Sequence, residues 1–305
     1  MAADASAPED EAIALTRELL RRVRRLEIRT SRVADDLFAG SYKSIFKGRG
    51  IEFSEVRRYY PGDEVRDIEW NVTARTGYPH VKQHVDEREL TVLLVVDASG
   101  SVDFGSGERS KRDIAAEVAG VLAFSAIRNN DKVGLVMFTE EVEKYIAPDK
   151  GRKQVLRLIR EMLHHAPQRP GTNIAAAVEF VSRVLTRRAV VFLISDFHDD
   201  GYLRPVSVAA KRHDLIAVRL IDPREREIPR AGLVEFYDAE TGGHMLVDTS
   251  RHDFREAFEK RLQRKRAEEA RDLMRRGVDV IDMHTDGSPV EPLVKFFDLR
   301  ARRMA

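Results

Sequence analysis

The segment with the clearest chemistry is a short loop that follows an apolar run. Residues 92–101 read VLLVVDASGS, so Asp97, Ser99 and Ser101 form the pattern Asp-x-Ser-x-Ser directly after a buried-type strand. A carboxylate and two hydroxyls on one loop supply three hard oxygen donors, which Mg²⁺ and Mn²⁺ prefer in an octahedral arrangement with several retained waters. Three fixed positions often arise by chance, so this loop alone is a weak indication of a metal site.

Two later segments supply what the loop lacks. Gly171, Thr172 and Asn173 open a predicted helix after a proline-containing loop, and residues 190–196 (VVFLISD) form a second apolar strand ending in Asp196. In open sheets of parallel strands, ligands bind beyond the carboxyl ends of the strands, where the strand order reverses. The two strands that end in an aspartate and the loop that carries the hydroxyl groups are therefore expected to contribute ligands to one cation. The alternative is a capped loop without metal.

Composition excludes several classes of protein. The chain has 305 residues, is 43% hydrophobic and 34% charged, and carries a net charge of +1, which favours no class of partner. It has no cysteine, which excludes disulfides, thiolate zinc sites and a cysteine nucleophile, and which suits the predicted cytoplasmic location. The acidic first residues predict no secretory signal, and no apolar run approaches the ~18–20 residues of a membrane span.

Strands and helices alternate after residue 89. The predicted strands are Leu90–Asp97, Lys132–Phe138, Val142–Ile146, Ala189–Asp196, Leu215–Ile221 and Val278–His284. The predicted helices are Lys111–Arg128, Arg152–His164, Asn173–Arg187, Leu203–Arg212 and Phe254–Arg276. Apolar strands alternating with amphipathic helices predict an α/β fold, doubly wound, with a mostly parallel central sheet covered by helices on both faces. The short strand at 142–146 is expected to run antiparallel at the edge.

Four regions are expected along the chain. Residues 1–39 form an N-terminal helical arm rich in arginine, and residues 40–88 form a β-rich appendage with a Pro61-Gly62-Asp63 turn, in which Trp70 is the expected packing anchor. Residues 89–286 form the main domain, with a hairpin insertion near 233–247 that turns at 241–243. Residues 287–305 form a C-terminal tail or helix.

The oxygen-bearing residues together resemble the metal-ion-dependent adhesion site of von Willebrand factor A-like domains. That site combines Asp-x-Ser-x-Ser with a distant Thr and a distant Asp, which match Asp97, Ser99, Ser101, Thr172 and Asp196 in order and setting. The resemblance implies that Thr172 completes the protein ligands and that Asp196 acts through water. Hydroxyl ligands carry no formal charge, so a bound dication keeps an open position for an Asp or Glu of another protein.

The appendage resembles a second, more specific signature. The residues concerned are Glu52-Phe53, Val56-Arg57, Tyr59, Pro61-Gly62-Asp63, Arg66-Asp67-Ile68-Glu69-Trp70 and Thr73-Ala74-Arg75. They are similar to a bacterial family catalogued as domain of unknown function fifty-eight, whose members join such a segment to a von Willebrand A-like domain. The resemblance covers roughly residues 40 to 285, and it implies a MoxR-type AAA+ ATPase as partner.

A metal-dependent protein-interaction module, an adaptor or co-chaperone without enzyme activity, is therefore the leading hypothesis. The residues beside the predicted ligands are expected to contact the partner ATPase or its client protein: Asp103, Gly171, Asn173, His198 and Asp199. A metal-dependent hydrolase is one alternative, with His198, Asp199 and Asp200 as proton-transfer groups. However, a haloacid-dehalogenase-type phosphatase needs Asp-x-Asp, and Ser99 replaces its general acid. A nucleic-acid-associated module that uses the arginine-rich helix is the other alternative; nucleic acid is not the expected partner, because the sequence lacks a recognition motif.

Overall fold

The computed structural model describes residues 24, 26, 27, 30, 56–65, 68–82, 89–225, 230–237 and 243–304. Within them the strands are β1 (Val56–Arg58), β2 (His80–Lys82), β3 (Thr91–Asp97), β4 (Lys132–Phe138), β5 (Val142–Asp149), β6 (Val190–Ser195), β7 (Asp214–Ile221), β8 (Leu233–Tyr237), β9 (His244–Asp248) and β10 (Asp279–His284). Six of them form the central sheet in the order β10-β7-β6-β3-β4-β5. Every neighbouring pair is parallel except β4 and β5, so the predicted antiparallel edge strand is confirmed.

Helices cover both faces of this sheet. In the described part of the chain they are α1 (Trp70–Thr76), α2 (Lys111–Arg128), α3 (Arg152–His164), α4 (Ile174–Val184), α5 (Leu203–Arg212), α6 (His252–Arg275) and α7 (Val290–Met304). None of the described helices is both long and apolar enough to cross a membrane. The α/β, doubly wound fold predicted from the sequence is confirmed.

Strand alternation divides the core into two layers. Successive side chains of a strand point to opposite faces, so Val92, Leu94 and Val96 of β3 pack in one apolar cluster while Leu93 and Val95 pack in the other. The first cluster includes apolar side chains of α2, α3 and α7, and the second includes those of α4, α5 and α6. Because both faces are covered, the strands are apolar along almost their whole length.

The strand order reverses between β3 and β6. From β3 the chain proceeds to β4 and β5 on one side and then returns to build β6, β7 and β10 on the other side. The parallel pairing sets Val96 beside Ile194, so the carboxyl ends of β3 and β6 lie next to each other. Asp97 and Asp196 thus flank the point at which a doubly wound sheet opens a crevice for ligands.

Local sequence explains where the elements begin and end. The predicted bounds of α2, α3 and α5 coincide with the observed ones, and α2 begins after Ser110, whose side chain and Asp113 form a reciprocal capping box. The predicted helix from Asn173 ends earlier than expected, at Val184. Strand β5 extends to Asp149, three residues beyond the prediction.

The appendage departs from the prediction in two respects. Its described residues contain the two short antiparallel strands β1 and β2, but also the helix α1, which ends where Gly77 adopts a positive φ of 75°. The short extended stretches and the turn at Pro61-Gly62-Asp63 predict a β-rich segment and no helix. Trp70 is 65% exposed at the start of α1, so the packing-anchor role predicted for it is wrong within the described residues.

Two other predicted features fall partly outside the described residues. The hairpin insertion is confirmed as the antiparallel pair β8 and β9, whereas its predicted turn at 241–243 lies outside the description apart from Gly243. Of the predicted N-terminal helical arm, only residues 24, 26, 27 and 30 are described, and all four are helical. Leu26 packs against the first apolar cluster.

Candidate metal and partner-binding site

The Asp97 loop forms a compact set of oxygen atoms at the end of β3. Asp97 is only 2% exposed; its Oδ1 accepts the Ser99 backbone N–H at 2.9 Å and its Oδ2 accepts the Ser195 hydroxyl at 2.6 Å. The hydroxyl oxygens of Ser99 and Ser101 are 3.1 Å apart. Burial and the nearby charge of Asp196 disfavour the ionised form, and together they raise the pKa of Asp97 to about 7.

Asp196 follows β6 directly and is held by a buried lysine. The Nζ of Lys111, the first residue of α2, donates to Asp196 Oδ2 at 2.8 Å and also to the carboxylate of Glu225. The Ser101 side chain hydrogen-bonds Asp196 as well. Burial by itself raises the pKa of Asp196, but the charge of Lys111 and these hydrogen bonds outweigh it and hold the pKa below its usual range.

Backbone hydrogen bonds fix the loop that carries Thr172 beside the serine loop. The Gly100 N–H donates to the Pro170 carbonyl at 2.9 Å, and the Asn173 N–H donates to the Thr139 carbonyl at 2.8 Å. Thr172 lies between these two anchored positions and is half-buried. The structure therefore brings Asp97, Ser99, Ser101 and Asp196 into one hydrogen-bonded row and ties the Thr172 loop to it through the backbone.

This donor set fits a small divalent cation. Neighbouring oxygen ligands of an octahedral Mg²⁺ are about 3 Å apart, because each lies ~2.1 Å from the metal. The 3.1 Å separation of the Ser99 and Ser101 hydroxyls matches that spacing. Burial first, and then the charge of Asp196, raise the pKa of Asp97, and a bound dication would favour its ionised form. The predicted ligands Asp97, Ser99, Ser101, Thr172 and Asp196 would hold the ion.

Two of the residues expected to contact a partner cap the helix next to the site. The Asn173 side chain accepts the Ala176 N–H at 2.9 Å, and the Asp199 carboxylate accepts the Ile174 N–H at 2.8 Å. Both satisfy backbone donors in the first turn of α4. Asp199 thus joins the loop after β6 to the helix after Thr172, in addition to any contact with a partner.

The other three residues border the site. Asp103 pairs with Arg112 at 2.8 Å and its side chain is 52% exposed, while the Gly171 N–H donates to Glu140 at 3.3 Å. His198 lies 3.5 Å from Asp196 and its side chain is 48% exposed. Asp103 and His198 are exposed and Gly171 is partly exposed, and the role of all three in binding a partner stays a prediction.

The sequence did not predict that Lys111 and Glu225, which pair with each other, belong to the site. Ligand atoms of Asp196, His198 and Glu225 lie within 4.8 Å of one another, a spacing that could hold a metal ion. The Lys111 ammonium already bridges two of these three groups, so it supplies the positive charge there. Two signals could have assigned these residues to the site. Glu225 lies just beyond the carboxyl end of β7, and Lys111 is at the start of a helix, where the helix dipole disfavours a cation.

Comparison with known proteins shows which family the chain belongs to. A family model described as Protein of unknown function DUF58 matches residues 55–268. The chain belongs to the DUF58 family. Uncharacterized protein Rv1480 of Mycobacterium tuberculosis (strain ATCC 25618 / H37Rv), for example, is 32% identical over 285 residues, which cover 92% of this chain and 89% of the relative. The DUF58 resemblance predicted from the appendage is confirmed.

Solved structures similar to this DUF58 protein are more distant. An aerotolerance-related membrane protein from Bacteroides fragilis is 16% identical with a TM-score of 0.46, over 70% of this chain and 99% of that one. BatB from Bacteroides thetaiotaomicron is 17% identical with a TM-score of 0.45, over 70% and 98%. The SpRpn10 VWA domain is 8% identical with a TM-score of 0.38, over 68% and 95%.

Proposed function

We propose that this protein binds a partner protein through a divalent cation, Mg²⁺ or Mn²⁺, held by the predicted ligands. The observation that carries the proposal is the hydrogen-bonded row of Asp97, Ser99, Ser101 and Asp196 at the point where the strand order reverses. All of its donors are oxygen atoms, and two of its side chains are carboxylates. Such a site suits a hard cation rather than a thiolate-bound metal.

The proposed binding chemistry is carboxylate recognition. When bound, the cation supplies an electrophilic position that an Asp or Glu of the partner can fill. A pair of opposite unit charges ~4 Å apart is worth about 4 kcal/mol at an effective dielectric constant near 20. One partner carboxylate can therefore decide whether an interface of modest area forms. Exposed Asp103 and His198 border this position and would contact the partner around its acidic side chain.

The proposed partner is a MoxR-type AAA+ ATPase or its client protein, for which the DUF58 protein would act as adaptor or co-chaperone. The sequence resemblance to the DUF58 family implies an association with a MoxR-type AAA+ ATPase. Membership of that family therefore supports this choice of partner. The von Willebrand A-like architecture supports binding rather than catalysis, and Asp199, a candidate proton-transfer group, caps α4.

A pull-down with the cognate ATPase tests the proposal. We expect retention in Mg²⁺ and loss of retention both in EDTA and in the Asp97→Ala variant, because each removes the cation. Asp253→Ala is the matched control, since Asp253 is an exposed aspartate in the first turn of α6 that pairs with Arg251. Equal retention under all conditions would remove the cation from the mechanism. Turnover of generic phosphate or ester substrates that Asp97→Ala abolishes would favour a hydrolase instead.

A further inference from the structure

Lys111 lies where the fold opposes a positive charge. Its side chain is 1% exposed, and it is the first residue of the 18-residue helix α2, so both desolvation and the helix dipole act against the ammonium. Burial alone would lower the pKa of Lys111, but Asp196 and Glu225 together raise it above its usual value. The lysine is therefore a charged group that two carboxylates hold in place.

The two carboxylates belong to different parts of the chain. Asp196 follows β6 and is a predicted metal ligand, whereas Glu225 ends the short 3₁₀ helix Pro223–Glu225 after β7. Glu225 is itself fixed, because it accepts the Asp222 N–H at 3.1 Å and lies 4.0 Å from Arg266 of α6. The ring of Phe104 completes the surroundings, with its centroid 6.0 Å from the lysine nitrogen.

We propose that Lys111 acts as a resident cation, whose positive charge lowers the affinity of the site for a divalent ion, and that the negative charge of Glu225 partly offsets this effect. This inference rests on the proposed function and deepens it. An ammonium in hydrogen-bond contact with Asp196 competes with a metal ion for the same carboxylate and repels it. Glu225 offsets part of that charge, and so leaves Asp196 more available. Lys111 also holds Asp196 in position when no ion is bound.

The proposal predicts opposite effects for the two partners of one ion pair. Lys111→Met keeps an unbranched apolar side chain but removes the charge, so Mn²⁺ should bind about tenfold or more tightly. Glu225→Gln keeps the shape but leaves the lysine charge concentrated on Asp196, so Mn²⁺ should bind several-fold more weakly. In the double variant, Glu225→Gln should have a smaller effect than it has alone, because the lysine through which it acts is gone.

The experiment is Mn²⁺ binding to the full chain, measured by electron paramagnetic resonance and by calorimetry, with thermal unfolding in metal-free buffer as a second measurement. Lys132→Met and Glu89→Gln are matched controls. This exposed pair is 3.3 Å apart at the opposite end of the sheet and undergoes the same charge changes. We expect both controls to stay within about twofold of wild type. In metal-free buffer we expect Lys111→Met to unfold at a lower temperature, because Asp196 is left buried without its cation.

The outcomes separate this inference from the proposed function. If wild type binds Mn²⁺ but Lys111→Met and Glu225→Gln shift the affinity in the same direction, or not at all, the role of Lys111 is overturned and the proposed function stands. If wild type binds no Mn²⁺ but Lys111→Met does, the resident cation is supported and the proposed function is overturned. If neither binds, both fail. Should Lys111→Met not fold, Glu225→Gln alone decides: weaker binding supports the proposal, and unchanged or tighter binding overturns it.

Discussion

At the scale of single residues, Asp97 shows how a binding site can cost stability. Its carboxylate is almost completely buried, next to a second carboxylate, and its two oxygens accept hydrogen bonds from Ser99 and Ser195. These hydrogen bonds lower its pKa, but burial and the charge of Asp196 raise it more, to about 7. The folded protein therefore holds a proton on Asp97 more tightly than the unfolded chain does.

Replacing Asp97 with Asn should stabilise the metal-free protein at neutral and alkaline pH, because the amide oxygen can still accept the Ser99 N–H and the amide nitrogen can donate to the Ser195 hydroxyl. Because the folded-state pKa lies above the unfolded value of 3.8, the contribution of Asp97 to stability falls as pH rises from about 4 to about 7. One pKa unit corresponds to ~1.4 kcal/mol, so the gain of Asp97→Asn at pH 8 is at most about 4 kcal/mol. Below pH 4 the gain should vanish, since wild type is then also neutral.

Urea unfolding of both proteins at several pH values in metal-free buffer measures this difference. Subtracting the wild-type free energy of unfolding from that of the variant cancels the titrating groups that do not interact with Asp97. Asp253→Asn, at an exposed aspartate, is the control and should show no gain that grows with pH. A difference that stays constant from pH 4 to pH 8 would mean that Asp97 ionises normally in the folded protein.

At the scale of elements, one buried aspartate fixes the loop between the serine motif and α2. Asp222 follows β7 and is fully buried; it accepts the Ser106 N–H and the Thr285 hydroxyl, each at 2.9 Å, and also the Ser106 hydroxyl. Burial alone would raise the pKa of Asp222, but these donors hold it below its usual value. The carboxylate therefore joins the loop after β3 to the ends of β7 and β10.

Asp222→Asn should destabilise the protein by about 2–4 kcal/mol, because an amide nitrogen cannot accept a hydrogen bond and leaves buried donors unpaired. Denaturant unfolding measures the change. Asp248→Asn is the matched control, since Asp248 also accepts the N–H and the hydroxyl of one serine, Ser250, at 3.0 Å and 2.6 Å, but in an exposed local turn. Similar losses in the two variants would show that burial of Asp222 contributes little.

The same scale separates what the sequence could predict from what it could not. Helix α2 was predictable to the residue because its signals are local: a capping box at Ser110 and apolar spacing afterwards. The positions of Asp97 and Asp196 were also predictable, since Asp97 ends one apolar strand and Asp196 directly follows another. The contact between Lys111 and Glu225 was not, because it joins residues 114 positions apart whose types fit a solvated surface equally well.

At the scale of the whole molecule, residues that are far apart in the sequence form the candidate site. Its predicted ligands extend from Asp97 to Asp196, at the ends of two central strands whose side chains contribute to both apolar layers. Lys111 and Asp222 link the same edge of the sheet to α2 and to the ends of β7 and β10. A cation bound there would bridge segments that separate only when the domain unfolds.

Mg²⁺ should therefore raise the unfolding temperature of the entire domain in a single transition. A ligand that binds only the folded state stabilises it by about 2.7 kcal/mol at a concentration one hundred times its dissociation constant, which corresponds to roughly 5 °C for a domain of this size. Scanning calorimetry with increasing Mg²⁺ at constant ionic strength measures this shift. Asp97→Ala should lose the shift because it lacks a central ligand, whereas Asp253→Ala should keep it. An equal rise in Asp97→Ala would place the Mg²⁺ effect elsewhere on the protein. A concentration of 10 mM Mg²⁺ is about one hundred times a dissociation constant of ~0.1 mM. The absence of any rise in wild type at that concentration would mean that the site binds Mg²⁺ more weakly than ~0.1 mM.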